Sequence, residues 1–214
     1  MEQDVLQHLV DKSLTKEKLL HRVKENVELL PTILMGISSS KAAIRYGCAK
    51  GVMALSEEQP NTLYQYMDFF IDLLDSKYRI LTWNAMAIIA NLTTVDTENK
   101  FDAIFNKYFD FVNDEYMVTV ANVVGHAGKI AIAKPYLSDN IANELLKVET
   151  IALTPHLTEE CKRVIAERAI KSFTMFVDQI EHIEKVIAFV ERHRLSARST
   201  LQKEAAKFLK RFES

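Results

Sequence analysis

Five stretches of this chain repeat one apolar stripe, and that repetition limits what the chain can fold into. In Lys77 to Leu92, KYRILTWNAMAIIANL, the stripe is Leu81, Ala85, Ile88, Ile89 and Leu92. The intervals i, i+4, i+7, i+8 and i+11 draw one line down a helix. The same intervals select Ile44, Cys48, Gly51, Val52 and Leu55, then Met117, Ala121, Val124, Gly125 and Gly128. They recur at Ile165, Ala169, Ser172, Phe173 and Phe176, and at Leu201, Ala205, Phe208, Leu209 and Phe212. Successive copies start 37, 36, 48 and 36 residues apart. The second position is small in every copy, which lets a neighbouring helix approach closely. The stretch 77–92 holds no acidic residue and is apolar on nearly every side. It reads as a central helix covered on nearly every side.

A second amphipathic segment precedes each stripe: 18–34, 63–74, 101–112, 137–151 and 180–190. Short polar turns join most of the pairs, SSSK at 38–41, DSK at 75–77, ND at 113–114 and SA at 196–197. They offer Ser and Asp as caps for the helix that follows. The spacing of 48 marks an insertion of about a dozen residues, around 152–158, in the fourth unit. There Thr154 and Pro155 read as an N-cap and first helical residue. Gly125 and Gly128, inside the third stripe, point to close helix contact or to a kink.

On the period and the two-helix unit, the chain resembles the HEAT and armadillo-like helical repeat proteins over roughly 16–213. The Trp–Leu–Gly–Tyr pattern of the tetratricopeptide repeat is not found. The resemblance implies an all-α fold, a right-handed α-α superhelix of about five two-helix repeats. Their expected bounds are about 16–58, 61–93, 98–131, 135–178 and 179–213, all in one domain 1–214. Residues 1–15, with Val5, Leu6, Leu9, Val10 and Leu14, read as an N-terminal capping helix, which a repeat array needs to cover its end.

Composition agrees with a nearly all-helical chain, with only 5 Gly and 4 Pro in 214 residues. No apolar run approaches the roughly 18–20 residues of a membrane span. The start, MEQDVLQHLVDK, has no basic-then-apolar leader. A cytoplasmic protein with no membrane association is expected. Cys48 and Cys161 have no short spacing, Cys48 reads as a small core residue, and a cytoplasmic setting implies no structural disulfide.

Charge is sorted by helix although the net charge is only −2. The second helices carry fifteen basic against eight acidic residues, the first helices ten against seventeen. The resemblance implies that second helices line a concave surface, which would then be positive and draw an anionic partner. The helix sides opposite the core stripes hold Tyr46, Lys50 and Met53, then Trp83, Ala87 and Ala90, then Thr119, Val123 and His126. They continue with Glu167, Lys171 and Thr174, and end with Lys203, Lys207 and Lys210. This describes a groove apolar in its middle and basic toward its C-terminal end, the pattern of a protein-binding surface. The alternatives stay open at this level. The three lysines also fit a solvated helix face, and tight curvature would cover Trp83 and Val123.

No His-Glu-x-x-His, Cys-x-x-Cys, Gly-rich phosphate loop or nucleophile elbow occurs. The six histidines fall on different elements. The expectation is therefore a non-enzymatic scaffold with no cofactor, no metal and no catalytic residue. Its partner would be a protein segment with acidic groups, met by Tyr46, Lys50, Trp83, His126, Lys171, Lys203 and Lys207. The alternative is nucleic-acid binding, because some HEAT-like proteins are alkylpurine DNA glycosylases and resemble this chain in size and in a basic concave surface. That chemistry needs a carboxylate among concave aromatics, and 77–92 offers none. Self-association through the groove is a third reading.

Overall fold

A computed structural model describes residues 16–213; the expected capping helix over 1–15 lies outside them. Among the described residues all regular structure is helical, apart from one isolated β-bridge between Thr154 and Leu157. Contacts divide the chain into two compact units that meet in sequence at Lys100 and Phe101.

The first unit contains α1 (Lys16–Glu25), α2 (Leu30–Ile37), α3 (Ala42–Glu58), α4 (Pro60–Tyr64), α5 (Met67–Asp72) and α6 (Arg79–Leu92). α1 and α2 both pack on α3, and α3 packs on α6. The single helix expected over 18–34 is broken. Pro31 has no N–H and would clash with the carbonyl of Val27 in a continuous helix. The chain turns instead through a 3₁₀ segment, Val27–Leu29, with Asn26 accepting a hydrogen bond from the Glu28 N–H at 3.0 Å. The segment expected over 63–74 is likewise divided, into α4 and α5.

The second unit contains α7 (Lys100–Asp110), α8 (Met117–Ala133), α9 (Ser138–Leu146), α10 (Glu159–Phe176), α11 (Ile183–Arg192) and α12 (Ser199–Leu209). α7 begins one residue before the division. The second helices α8, α10 and α12 lie side by side, α8 against α10 and α10 against α12.

The repeated stripe forms the core. Cys48, Ala85, Ala121, Ala169 and Ala205, the small second positions, are all buried. So are the larger members Val52, Ile88, Ile89, Val124, Phe173 and Phe208. Burial pushes the Cys48 thiol up to about 12, which leaves it an inert core group. Phe212, the last stripe position, is 40% exposed.

α8 and α10 approach each other closely. A Cβ added at Gly128 would lie 2.7 Å from Met175 Sδ and 3.1 Å from the Ser172 carbonyl. The glycine is thus a packing requirement of close helix approach.

The turns before the second helices share one device. Ser39 accepts from the Lys41 N–H, Ser76 from Tyr78, Asp114 from Tyr116 and Ser196 from Arg198, at 2.8–3.2 Å. Each polar side chain closes the turn just ahead of the helix; the N-cap positions themselves make no side-chain cap. In the fourth unit the cap is Thr158, which accepts from the Cys161 N–H, so the cap expected at Thr154 is displaced by four residues. Thr154 and Leu157 instead exchange backbone hydrogen bonds around Pro155 and His156. The inserted loop then docks on the start of α8. Thr154 Oγ1 donates to the Glu115 carbonyl at 2.8 Å, the His156 ring stacks on Tyr116 at 4.3 Å, and Leu157 is fully buried.

Within each unit an ion pair joins residues about a repeat apart in the sequence. Lys100 meets Asp68 at 2.8 Å in the first unit. Lys134, buried, meets Asp102 at 2.7 Å in the second, with Tyr136 donating to the same carboxylate at 2.8 Å. Burial alone would raise the Asp102 pKa, but these two partners hold it below the usual range.

Candidate functional site

The expected site residues fall on the outward sides of the second helices, and each unit presents its own set. In the first unit Tyr46 and Met53 on α3 are half-buried and Lys50 is exposed. Trp83 on α6 is half-buried, while Ala87 and Ala90 beyond it are buried. The Tyr46 ring is held from one side by Arg45. That guanidinium lies 4.7 Å from the Tyr46 ring centre and 3.8 Å from Tyr78, and donates to the Ser39 and Ser40 carbonyls at 2.8 and 3.2 Å. Arg45 is 5% exposed, so it fixes aromatic side chains at the starts of α3 and α6.

A polar seam joins these two helices. Asn91 Nδ2 donates to Ser56 Oγ at 3.0 Å, and both residues are buried. Asn84 lies two turns earlier on the same side of α6. Its Nδ2 is buried and has no hydrogen-bond partner. A buried donor without an acceptor is costly; here it sits next to Trp83 in sequence.

In the second unit the outward side of α8 is largely closed. Thr119 and Val123 are buried and His126 is half-buried. The apolar stretch expected in the middle of the surface is therefore mostly packed, with Trp83 and Tyr46 its accessible members. The helical-wheel argument locates the side opposite one stripe; it does not detect a second packing partner on that side.

α10 and α12 carry the charged part. Glu167 is 8% exposed and accepts from Lys171 Nζ at 2.6 Å, Thr200 Oγ1 at 2.5 Å and Arg198 Nε at 3.0 Å. Burial alone would raise its pKa, but these hydrogen bonds hold the carboxyl down at about 2. Arg198 also donates to Glu160 at 2.7 Å, and Arg163 meets Glu160 at 3.0 Å. Near the other end of the pair, Arg211 donates to the Thr174 carbonyl at 3.2 Å. The two bridges show α10 and α12 running parallel, with Lys171 and Lys203 each about one turn beyond the Glu167–Thr200 bond.

Lys203, Lys207 and Lys210 are exposed on α12, and among the described residues none of them forms an ion pair. Acidic groups at the start of this surface are neutralised by Lys171, Arg163 and Arg198, while the α12 lysines are not. The face is net positive. The structure thus groups Lys171, Lys203 and Lys207 on one helix pair, and Tyr46, Lys50 and Trp83 on another; His126 stands apart on α8. Arg45, Asn84 and Arg198 are the groups that sequence reasoning missed. Arg198 directly follows the SA turn, but its partners lie 31 and 38 residues away.

Among the described residues no group of three or more His, Cys, Asp or Glu side chains is placed to hold a metal ion. No described helix is long and apolar enough to cross a membrane.

No family model matches the chain, and no curated protein matches it. Solved structures do. A designed armadillo repeat protein is 17% identical with a TM-score of 0.66, the match covering 98% of this chain and 94% of that one. A designed armadillo repeat protein in complex with peptide (KR)4 is 15% identical with a TM-score of 0.64, covering 99% and 92%. An engineered protein is 15% identical with a TM-score of 0.57, covering 97% and 86%. The chain has the all-α armadillo/HEAT-like repeat fold.

Proposed function

We propose that this chain is a non-enzymatic repeat scaffold that binds a protein segment carrying acidic groups on the outward sides of its second helices. The carrying observation is the set of exposed lysines Lys203 and Lys207 on α12 and Lys210 just past its end, which form no ion pair among the described residues. The nearby acids Glu160 and Glu167 are already engaged by Arg163, Arg198, Lys171 and Thr200, and Glu204, the one acid carried by α12 itself, sets a single negative charge against the three lysines. Lys171, Lys203 and Lys207 meet carboxylates of the segment. Trp83 and Tyr46 anchor an apolar side chain, with Lys50 beside them and His126 as a further polar contact.

The fold supports a peptide partner, since one structural neighbour was solved with peptide (KR)4. That peptide is basic, and the positive α10–α12 face calls for the opposite sign here. A base-excision reading would need a carboxylate on this face to act as general base. Glu167, its most buried acid, is held ionised by three donors, and a carboxyl of pKa about 2 is a poor general base.

The test is fluorescence anisotropy with a labelled peptide of alternating Asp and Glu. Lys203→Ala combined with Lys207→Ala should weaken binding roughly tenfold, the loss of about 1.4 kcal/mol. Trp83→Ala should also weaken it with helix content unchanged by circular dichroism. An unchanged affinity in the double lysine variant would reject the proposal.

A further inference from the structure

The second unit contains a cavity of about 360 Å³ between the end of α9, the first turns of α10 and the end of α11. Its origin is the inserted loop. In the other repeats a tight turn closes the approach to the second helix. Here the loop swings away to dock on α8. Glu149 and Glu159, flanking the loop, line the cavity, and no residue from 150 to 158 does.

The floor is apolar, made by Val148, Ala166 and Phe189. The polar wall has two groups with unused capacity. Lys162 Nζ donates to the Glu149 carbonyl at 3.2 Å and forms no ion pair among the described residues. His193 Nε2 is buried with no hydrogen-bond partner, its ring edge-on to Phe189 at 4.9 Å. Of the other charged groups both arginines are paired, and Glu159 is exposed at the rim. Arg192 grips the Glu149 carboxylate at 2.6 and 2.7 Å, and Arg163 is paired with Glu160 outside the cavity. With Arg192 paired to Glu149 and Arg163 to Glu160, Lys162 is the one cation of the lining that forms no ion pair among the described residues.

We propose that this cavity binds a small organic monocarboxylate. The ligand's carboxylate accepts from Lys162 Nζ and His193 Nε2, and its apolar body rests on Val148, Ala166 and Phe189. The volume falls in the range of small-molecule sites. One carboxylate matches the one unpaired cation of the lining, Lys162. A phosphate dianion would meet the two carboxylates and leave the floor uncovered. Burial lowers the His193 pKa, so the ring is neutral near pH 7 and has one N–H to give.

The test uses the full ¹⁵N-labelled chain, titrated with butyrate, with neutral butyramide and with inorganic phosphate, followed by amide chemical shifts. Butyrate should give saturable shifts centred on Lys162, His193 and Ser196. Lys162→Gln, a change at a half-buried surface residue, should weaken the response roughly tenfold. Shifts that do not saturate or that spread over the lysines generally would overturn the proposal. So would an equal response to butyramide or phosphate, or an unchanged response in Lys162→Gln. This site does not depend on the peptide reading, and a failure of one leaves the other standing.

Discussion

Replacing Gly128 by alanine is expected to destabilise the protein, and the same change at Gly125 to stabilise it. Both glycines lie inside α8, where alanine has about 1 kcal/mol better helix propensity than glycine. At Gly125 the new methyl would meet Arg168 Nη1 at 3.3 Å, the far end of a long side chain that donates to the Ala121 carbonyl at 3.0 Å and needs to yield by only a few tenths of an ångström. The propensity gain should survive there. At Gly128 the methyl meets Met175 Sδ, which can move, and the Ser172 carbonyl, which cannot move without shifting α10. Overpacking of this kind costs about 1–3 kcal/mol and outweighs the gain. Gly128→Val should lose about 3 kcal/mol. Urea midpoints at constant slope measure all three changes. Equal effects at the two glycines would show that α8 and α10 are not in close backbone contact.

The second large effect is on acid stability. The Glu167 carboxyl is held at about 2, below its ordinary value of 4.5. A carboxyl whose pKa is lower folded than unfolded stabilises the fold above the unfolded pKa, and the contribution is lost as pH falls toward the folded one. The window therefore runs from about pH 5 down to about pH 2. The contribution is roughly 2–3 kcal/mol, given that about 1.4 kcal/mol corresponds to one unit and the group is partly reached by solvent. Glu167→Gln should lose that amount near neutral pH. The gap to the unmodified protein should shrink by more than half at about pH 3, where the unfolded carboxyl is largely protonated. Denaturant midpoints at the two pH values decide it. A gap of the same size at both would mean that the Lys171–Glu167–Arg198 contacts contribute nothing through charge.

The repeat was legible because the core imposes it residue by residue. Cys48, Ala85, Ala121, Ala169 and Ala205 are small for one reason, the approach of a neighbouring helix, and all five are buried. The break at Pro31 was also written in the chain, since a proline inside an apolar run rarely continues a helix. Other features have no local pattern. Lys100–Asp68 and Lys134–Asp102 each join residues 32 apart, a separation that no local helical spacing marks. Glu167 read as one more outward polar residue, because its partner Arg198 lies a full repeat away. Val123 and Ala90 were placed outward by the wheel and are buried. Small and β-branched side chains there were the available hint that this side is also packed. The insertion was visible as the spacing of 48, but the cavity depends on where the loop docks, and that is decided by Leu157 and by His156 stacking on Tyr116.

The central claim concerns the sign and class of the partner, and one comparison tests it most directly. The protein is titrated into a labelled peptide of alternating Asp and Glu, into peptide (KR)4, and into a single-stranded oligonucleotide, at about 50 and 200 mM salt. The account predicts that the acidic peptide binds most tightly, that it keeps measurable affinity at the higher salt through the aromatic contacts, and that its binding changes Trp83 emission. An oligonucleotide that binds more tightly than the acidic peptide, with affinity collapsing between the two salt levels, would contradict it and identify the α10–α12 face as a phosphate-backbone surface.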